Sequence, residues 1–279
     1  MSGPAAIASP AWVEAERCPA TDIAHLYREL GRAAAARALQ LETLGTVGDW
    51  PILLLRPEDD TLAALRPNIL IAAGFHGEEP AGCWGILRFL KSAPCELFER
   101  ANLSFLPLVN PTGFRLGRRR NDWDENPNQG FCPASVDQPQ PSREGAILVR
   151  HLPRLKRLAG EGFVSLHEDI EQDTFYLFTF ERSDEPGPFT RALYEAESAF
   201  FEPHPDGVLE DYCVKNGIVY RACDGTFEDR LFHEGVPRTA CTETPGQRDI
   251  NVRIEANAAI ITAAIVPALH LHQRQMMLE

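Results

Sequence analysis

The stretch Ile69-Leu70-Ile71-Ala72-Ala73-Gly74-Phe75-His76-Gly77-Glu78-Glu79-Pro80-Ala81-Gly82 decides how this 279-residue chain is read. Its first five residues are an unbroken apolar run, as in a strand buried on both faces. Gly74 and Gly77 bracket a turn, and Pro80 suits the first turn of a helix, where its missing N–H costs little. The turn carries His76 and, three residues on, Glu79. A neutral imidazole and a carboxylate at that spacing can face one point, as ligands of a divalent ion such as zinc do.

Working outward, the pattern repeats. Upstream, Thr21 to Leu41 has helical spacing with Thr21 and Asp22 as caps, and Thr43 to Arg56 is expected to be a strand pair near an edge. Downstream come a helix from Pro80 to about Lys91 and a buried strand from Leu103 to Val109, ending at Asn110-Pro111-Thr112-Gly113. Glu144 to Leu158 is expected as a helix, Phe163 to Leu166 and Thr174 to Phe180 as strands, and Gly187 to Phe201 as a helix. Strands around Ile218 to Arg221 and Thr239 to Glu243 follow, with a long helix from Asp249 onward. Strands alternating with helices predict an α/β sheet covered on both faces. The stretch Phe114 to Arg143 has no period, and a segment that long between core strands is a functional loop.

Composition narrows the function. A formal charge of −13 and a pI near 5.1 argue against nucleic acid or an anionic membrane as the main partner. Met1 to Arg17 lacks the basic-then-apolar layout of a secretory signal, and residues 1–20 are expected to be a flexible or peripheral segment of a single domain spanning 1–279. The late apolar segment Ala256 to Leu269 is expected to be too short and too polar to cross a bilayer. Seven scattered cysteines without a C-x-x-C pair fit free, mostly buried thiols in a reducing cytoplasm.

Four of the expected strands end on groups of catalytic type: His76 and Glu79, then Asn110, then His167-Glu168-Asp169, then Glu243. Open α/β sheets bind ligands beyond the carboxyl ends of their strands. A lone histidine there is more often structural than a ligand, but four such ends together are not a coincidence expected of unrelated side chains. His76, Glu79 and His167 make three protein ligands with a position left open, the arrangement of catalytic zinc. Glu243 is the candidate carboxylate to take a proton from water activated there.

In chain order the sequence holds His76-Gly77-Glu78-Glu79, Asn110-Pro111-Thr112-Gly113-Phe114, Asn126-Pro127-Asn128-Gln129-Gly130-Phe131, Ser165-Leu166-His167 and Thr242-Glu243. This ordered set resembles the zinc carboxypeptidase (carboxypeptidase A) family, related to the aspartoacylase and succinylglutamate desuccinylase group. There H-x-x-E is followed by N-P-x-G, a loop ending in D-L-N-R-N-F, S-x-H and a catalytic Glu. The resemblance implies one domain with a mixed, mostly parallel sheet of about eight strands and helices on both faces. It implies one Zn(2+) per chain on His76, Glu79 and His167, with Glu243 as general base. It places the arginine that stabilises the oxyanion at Arg118, Arg119 or Arg120, with Arg119 preferred. Asn128 and Gln129 fall among the substrate contacts, as does Tyr220, which lies 23 residues before Glu243 and matches a mobile tyrosine that covers substrate.

Two positions depart from the family pattern. Where the family has an arginine that clamps a C-terminal carboxylate, this chain has Gln129, which can hydrogen-bond a carboxylate but not match its charge. Arg118 or Arg120 is then the candidate replacement. Asn126 stands where the family has an aspartate that orients the first ligand histidine, leaving Asp124 or Glu125 to take that role. The leading expectation is a zinc-dependent hydrolase of amide bonds in a peptide or N-acyl amino acid carrying an anionic group near the scissile bond. An aspartoacylase-like deacylase of small N-acyl amino acids and a non-catalytic peptide-binding protein are the alternatives. Glu168, Asp169 and Glu171 leave a second metal beside His167 open.

Overall fold

Asp22 caps the first helix, α1 (Ile23–Ala36), its carboxylate accepting from His25 N at 2.9 Å. The computed structural model describes residues 20–58, 66–132, 140–209 and 211–276, so the N-terminal segment 1–19 lies outside the described residues. α1 ends short of the expected Leu41, because Ala38 turns to φ 53° and Leu39 already opens the first strand. β1 (Leu39–Val47) and β2 (Trp50–Pro57) form the expected antiparallel edge pair. Then come β3 (Asn68–Ala73), α2 (Pro80–Ser92), α3 (Cys95–Arg100), β4 (Asn102–Leu106) and the single turn α4 (Pro111–Phe114).

The helix expected over Glu144 to Leu158 is two, α5 (Arg143–Arg150) and α6 (Leu152–Leu158). Pro153 cannot donate to the carbonyl four residues back, so the ladder breaks at His151. β5 (Gly162–Asp169), β6 (Tyr176–Glu181), α7 (Pro188–Ser198), β7 (Gly207–Leu209), β8 (Tyr212–Val214), β9 (Ile218–Tyr220), α8 (Phe227–His233), β10 (Arg238–Pro245) and α9 (Ile250–Met276) complete the order. α3, α8 and the β7–β8 hairpin are too short to show a period in the sequence.

Eight strands form one sheet in the order β1-β2-β4-β3-β5-β10-β6-β9. Its centre, β4-β3-β5-β10, is parallel throughout, so the carboxyl ends of four neighbouring strands open on one edge. Side chains alternate across β3: Ile69, Ile71 and Ala73 pack with α1, α2 and α9, while Leu70 and Ala72 pack toward α5, α6 and α8. The two cores hold the strand ends rigidly, and truncating a core leucine such as Leu87 to alanine would cost about 2–5 kcal/mol.

The apolar C-terminal stretch is longer than expected. Ile250–Leu271 is long and apolar enough to span a membrane, and 56% of it is buried inside the protein. Ile254, Ile260, Ile261 and Ile265 join the core shared with α2 and α7. The cysteines also differ from expectation: among the described residues all six are free, but only Cys83 and Cys241 are buried.

Candidate active site

The turn after β3 is shaped by its glycines. Gly74 adopts φ 66°, and a Cβ at Gly77 would sit 2.1 Å from the backbone of Gly113 and Phe114, so only glycine lets the two loops touch. Gly77 N donates to Arg118 O at 3.0 Å, and Asn110 N to Gly74 O at 2.7 Å, locking the His76 turn to the loop that follows β4. Asn110 caps α4 by accepting from Gly113 N.

His76, Glu79 and His167 converge, with one ligand atom from each within 4.8 Å of the others. Glu79 Oε1 lies 2.7 Å from His76 Nδ1 and Glu79 Oε2 lies 2.8 Å from His167 Nδ1. Burial alone would raise the Glu79 carboxyl, but His76 and His167 outweigh it and hold it down to about 2. Burial lowers the His76 imidazole toward the neutral form that ligates metals, whereas at His167 burial pulls the same way but the Glu79 carboxylate outweighs it and raises the ring to about 9. Two imidazoles and a carboxylate, all buried, around one point fit a divalent cation of the zinc type.

The groups behind the ligands differ from those expected. His76 Nε2 meets Asn126 Oδ1 at 3.1 Å, so Asn126 itself orients the ring. Asp124 is turned to solvent beside Arg120, and Glu125 is committed to Asn121 and Arg143. Asn128, one of the expected substrate contacts, is buried, and its Oδ1 accepts from Phe227 N at 3.0 Å. That bond fixes its Nδ2 as the edge facing Glu228, 3.2 Å away, and His167 Nε2, 3.3 Å away. Glu228 is completely buried on α8 and also accepts from Ser165 Oγ. Sequence reading gave Glu228 no role.

His76, Asn126, Asn128 and His167 line a cavity of about 350 Å3. Arg119 enters it, its Nη1 donating to Glu79 Oε1 at 3.2 Å. Arg118 and Arg120 do not line it; they pair with Asp122 and with the Asp124 carbonyl, on the exposed side of the loop. Neither replaces the missing carboxylate clamp, and Gln129 stands exposed in the cavity wall. Glu243 is half-buried in the wall, paired in register with His167 and with Tyr176. Burial pushes its carboxyl up to about 8, with His167 pulling against it.

Tyr220 is not brought to the cavity. Its hydroxyl donates to Ser183 O at 2.8 Å on the far edge of the sheet, and Tyr176 and Tyr212 line the wall instead. Tyr176 OH donates to Asp169 Oδ2 at 2.8 Å. Its position was readable in principle, since a strand partner two rungs along from Phe178 shares its face. Glu168 is spent on Ala81 N and Arg253, so the acidic group beside His167 is already partly satisfied by protein.

The Succinylglutamate desuccinylase/Aspartoacylase catalytic domain matches residues 66–179. No match emerged among curated proteins. Among solved structures, a candidate metallopeptidase from Shewanella amazonensis is 40% identical, with a TM-score of 0.85 over 90% of this chain and 95% of that one. One from Shewanella denitrificans is 38% identical, with a TM-score of 0.83 over 91% and 94%. A metallo-carboxypeptidase from Burkholderia cenocepacia is 18% identical with a TM-score of 0.65, over 89% of this chain and 69% of that one, and shares the fold.

Proposed function

The chain belongs to the metallopeptidase family of the Shewanella proteins, on the carboxypeptidase-like fold, and from that premise we propose that it is a zinc-dependent amide hydrolase with Glu243 as general base. One observation carries the reading: His76 and His167 turn their Nδ1 atoms onto the two oxygens of Glu79 in a cavity that also holds Glu243 and Arg119.

His76, Glu79 and His167 would hold a zinc ion, which would supply Lewis acidity and lower the pKa of water at the site toward neutral. Glu243 takes the proton of the attacking water at a carboxylate oxygen and delivers it to the leaving nitrogen. Its burial makes the ionised carboxylate a stronger base than a solvated glutamate. Arg119 points its guanidinium into the cavity, where it stabilises negative charge on the carbonyl oxygen. Asn126 holds the His76 imidazole in the tautomer that leaves Nδ1 free for the metal, and Glu228 is the carboxylate nearest the outer nitrogen of His167.

Glu78, Asp169, Glu171, Asp224 and Glu243 face the cavity against the single guanidinium of Arg119. The match to the aspartoacylase group, together with Gln129, favours deacylation of a small N-acyl amino acid as the second reading. The free thiols accord with a cytoplasmic setting.

The test is hydrolysis of blocked peptides, free peptides and N-acyl amino acids by the zinc-loaded chain, beside His167→Ala. Activity that is abolished by chelation, restored by zinc and absent in His167→Ala supports the reading. Full activity after the metal is stripped would overturn it, and a metal-binding protein inert on all three classes would make it a binding member.

A further inference from the structure

Where the segment ending at Cys132 meets α8, four metal-ligating side chains come together outside the His76 cluster. Cys223 Sγ, a carboxylate oxygen of Asp229 and a ring nitrogen of His233 lie within 4.8 Å of one another. Cys132 Sγ lies 3.3 Å from Asp229 Oδ2. Asp229 and His233 stand one helical turn apart on α8 and so share a face.

Asp229 is the observation that points to a ligand. It is completely buried, yet its Oδ1 makes no hydrogen bond. His233 Nδ1 is 2.8 Å from that oxygen but donates to the Asp229 backbone carbonyl at 2.9 Å. Gly225 N and Cys132 Sγ serve only Oδ2. A buried carboxylate oxygen without a donor is costly unless a cation completes it. One His233 ring nitrogen lies in the cluster and offers a metal its lone pair in the tautomer that leaves it unprotonated.

We propose that Cys132, Cys223, Asp229 and His233 form a second metal site, for a thiophilic divalent cation such as zinc. Two sulfurs, one nitrogen and one oxygen make a complete four-ligand set for a tetrahedral ion, so the site is structural and leaves no position for a reacting molecule. On binding, each thiol releases its proton to solvent and the sulfur becomes a thiolate ligand. Cys223 and His233 reach the surface, which gives the ion a way in.

The position gives the ion a task. Cys132 closes the stretch that carries Asn126, Asn128 and Gln129, and Asp229 follows Glu228, the residue behind His167. Backbone bonds already join these pieces, Phe131 N to Gly225 O at 3.0 Å and Arg230 Nη1 to Phe131 O at 2.8 Å. The second ion staples the cavity wall to α8 and thereby fixes the distance between Asn128, Glu228 and His167.

Cobalt(II) titration of the metal-free, reduced full chain tests this, because thiolate ligands give cobalt an intense charge-transfer absorption in the near ultraviolet. The expected result is two equivalents bound, one of them producing that absorption. The double variant Cys132→Ser/Cys223→Ser should lose the absorption and one equivalent of metal, with each single variant weakening the absorption, whereas His76→Ala should lose the other equivalent and keep the absorption. A wild-type chain that takes up one equivalent without the absorption overturns the proposal. So does an absorption that survives in the double variant Cys132→Ser/Cys223→Ser, which would belong to Cys241 beside Glu243, or a Cys132–Cys223 disulfide in protein that was never exposed to oxidant. The proposal does not depend on the catalytic reading, since His76→Ala removes that site from the measurement.

Discussion

Glu228 Oε1 stands 3.9 Å from His167 Nε2, at the ring nitrogen opposite the one that faces Glu79. Asn128 Nδ2 is a donor toward the same nitrogen and cannot accept its proton; Glu228 is the nearest carboxylate and, at 3.9 Å, would have to close on Nε2–H when Nδ1 carries a metal. A carboxylate in that position fixes the tautomer and raises the basicity of the ligand nitrogen. Glu228→Gln is therefore expected to weaken zinc binding at the His76 site by about 10-fold, and Glu228→Ala by up to about 100-fold. Competition with a chromophoric chelator measures it. Unchanged affinity in Glu228→Ala would make the residue a purely structural one.

The two ends of this relationship were unequally legible. His76 and Glu79 sit on a turn between an apolar run and a proline-started helix, and β3, β5 and β10 are buried on both faces, so strand and turn both leave a mark in sequence. Glu228 lies in a seven-residue helix, too short for a period, and the run Glu228-Asp229-Arg230 looks like a solvated face. Only the tertiary packing of α8 on β5 and β10 buries it. Tyr220 misled for a related reason. Its distance along the chain from Glu243 was suitable, but the turn at Lys215–Ile218 carries β9 to the sheet edge beside β6, away from the cavity.

Glu243 shares its strand register with His167, and among the described residues its side-chain hydrogen-bond partner is the weak donor Cys241, at 3.6 Å. A carboxylate so placed is available for proton transfer and is not needed to hold the metal. Glu243→Gln is expected to keep the metal content of the wild type and lose turnover by about 10²- to 10⁴-fold, the usual worth of a general base. Metal analysis and single-turnover hydrolysis of the same preparation decide it, and a variant at full rate would remove Glu243 from the mechanism.

Gln129 is exposed in the cavity wall, with Arg118 and Arg120 turned away toward Asp122 and Asp124. Restoring a guanidinium there supplies the bidentate partner that a terminal carboxylate requires. Gln129→Arg is expected to shift the ratio of kcat/KM for free over amidated C-termini upward by about 10-fold or more, equivalent to about 1.4 kcal/mol. Wild-type protein should discriminate little between the two. A wild type that already prefers the free carboxylate strongly would mean that Arg119 performs the clamp.

Glu197, on α7, is completely buried, and neither carboxylate oxygen has a hydrogen-bond partner. Burial first, and Glu243 second, push its carboxyl well above the ordinary range. The unfolded chain releases this proton near pH ~4.3, while the folded protein retains it to much higher pH. Over that interval the native state binds more protons than the unfolded state, so this group's contribution to stability is complete at low pH and declines as pH rises. Glu197→Gln cannot ionise and escapes the decline. Its stability relative to wild type should therefore climb by about 1.4 kcal/mol for each pH unit above ~4.3, until the folded carboxyl itself ionises. Thermal unfolding of the pair at three pH values between mildly acidic and neutral measures the slope, and a difference in Tm that stays constant across them would show that the Glu197 carboxyl ionises inside the fold.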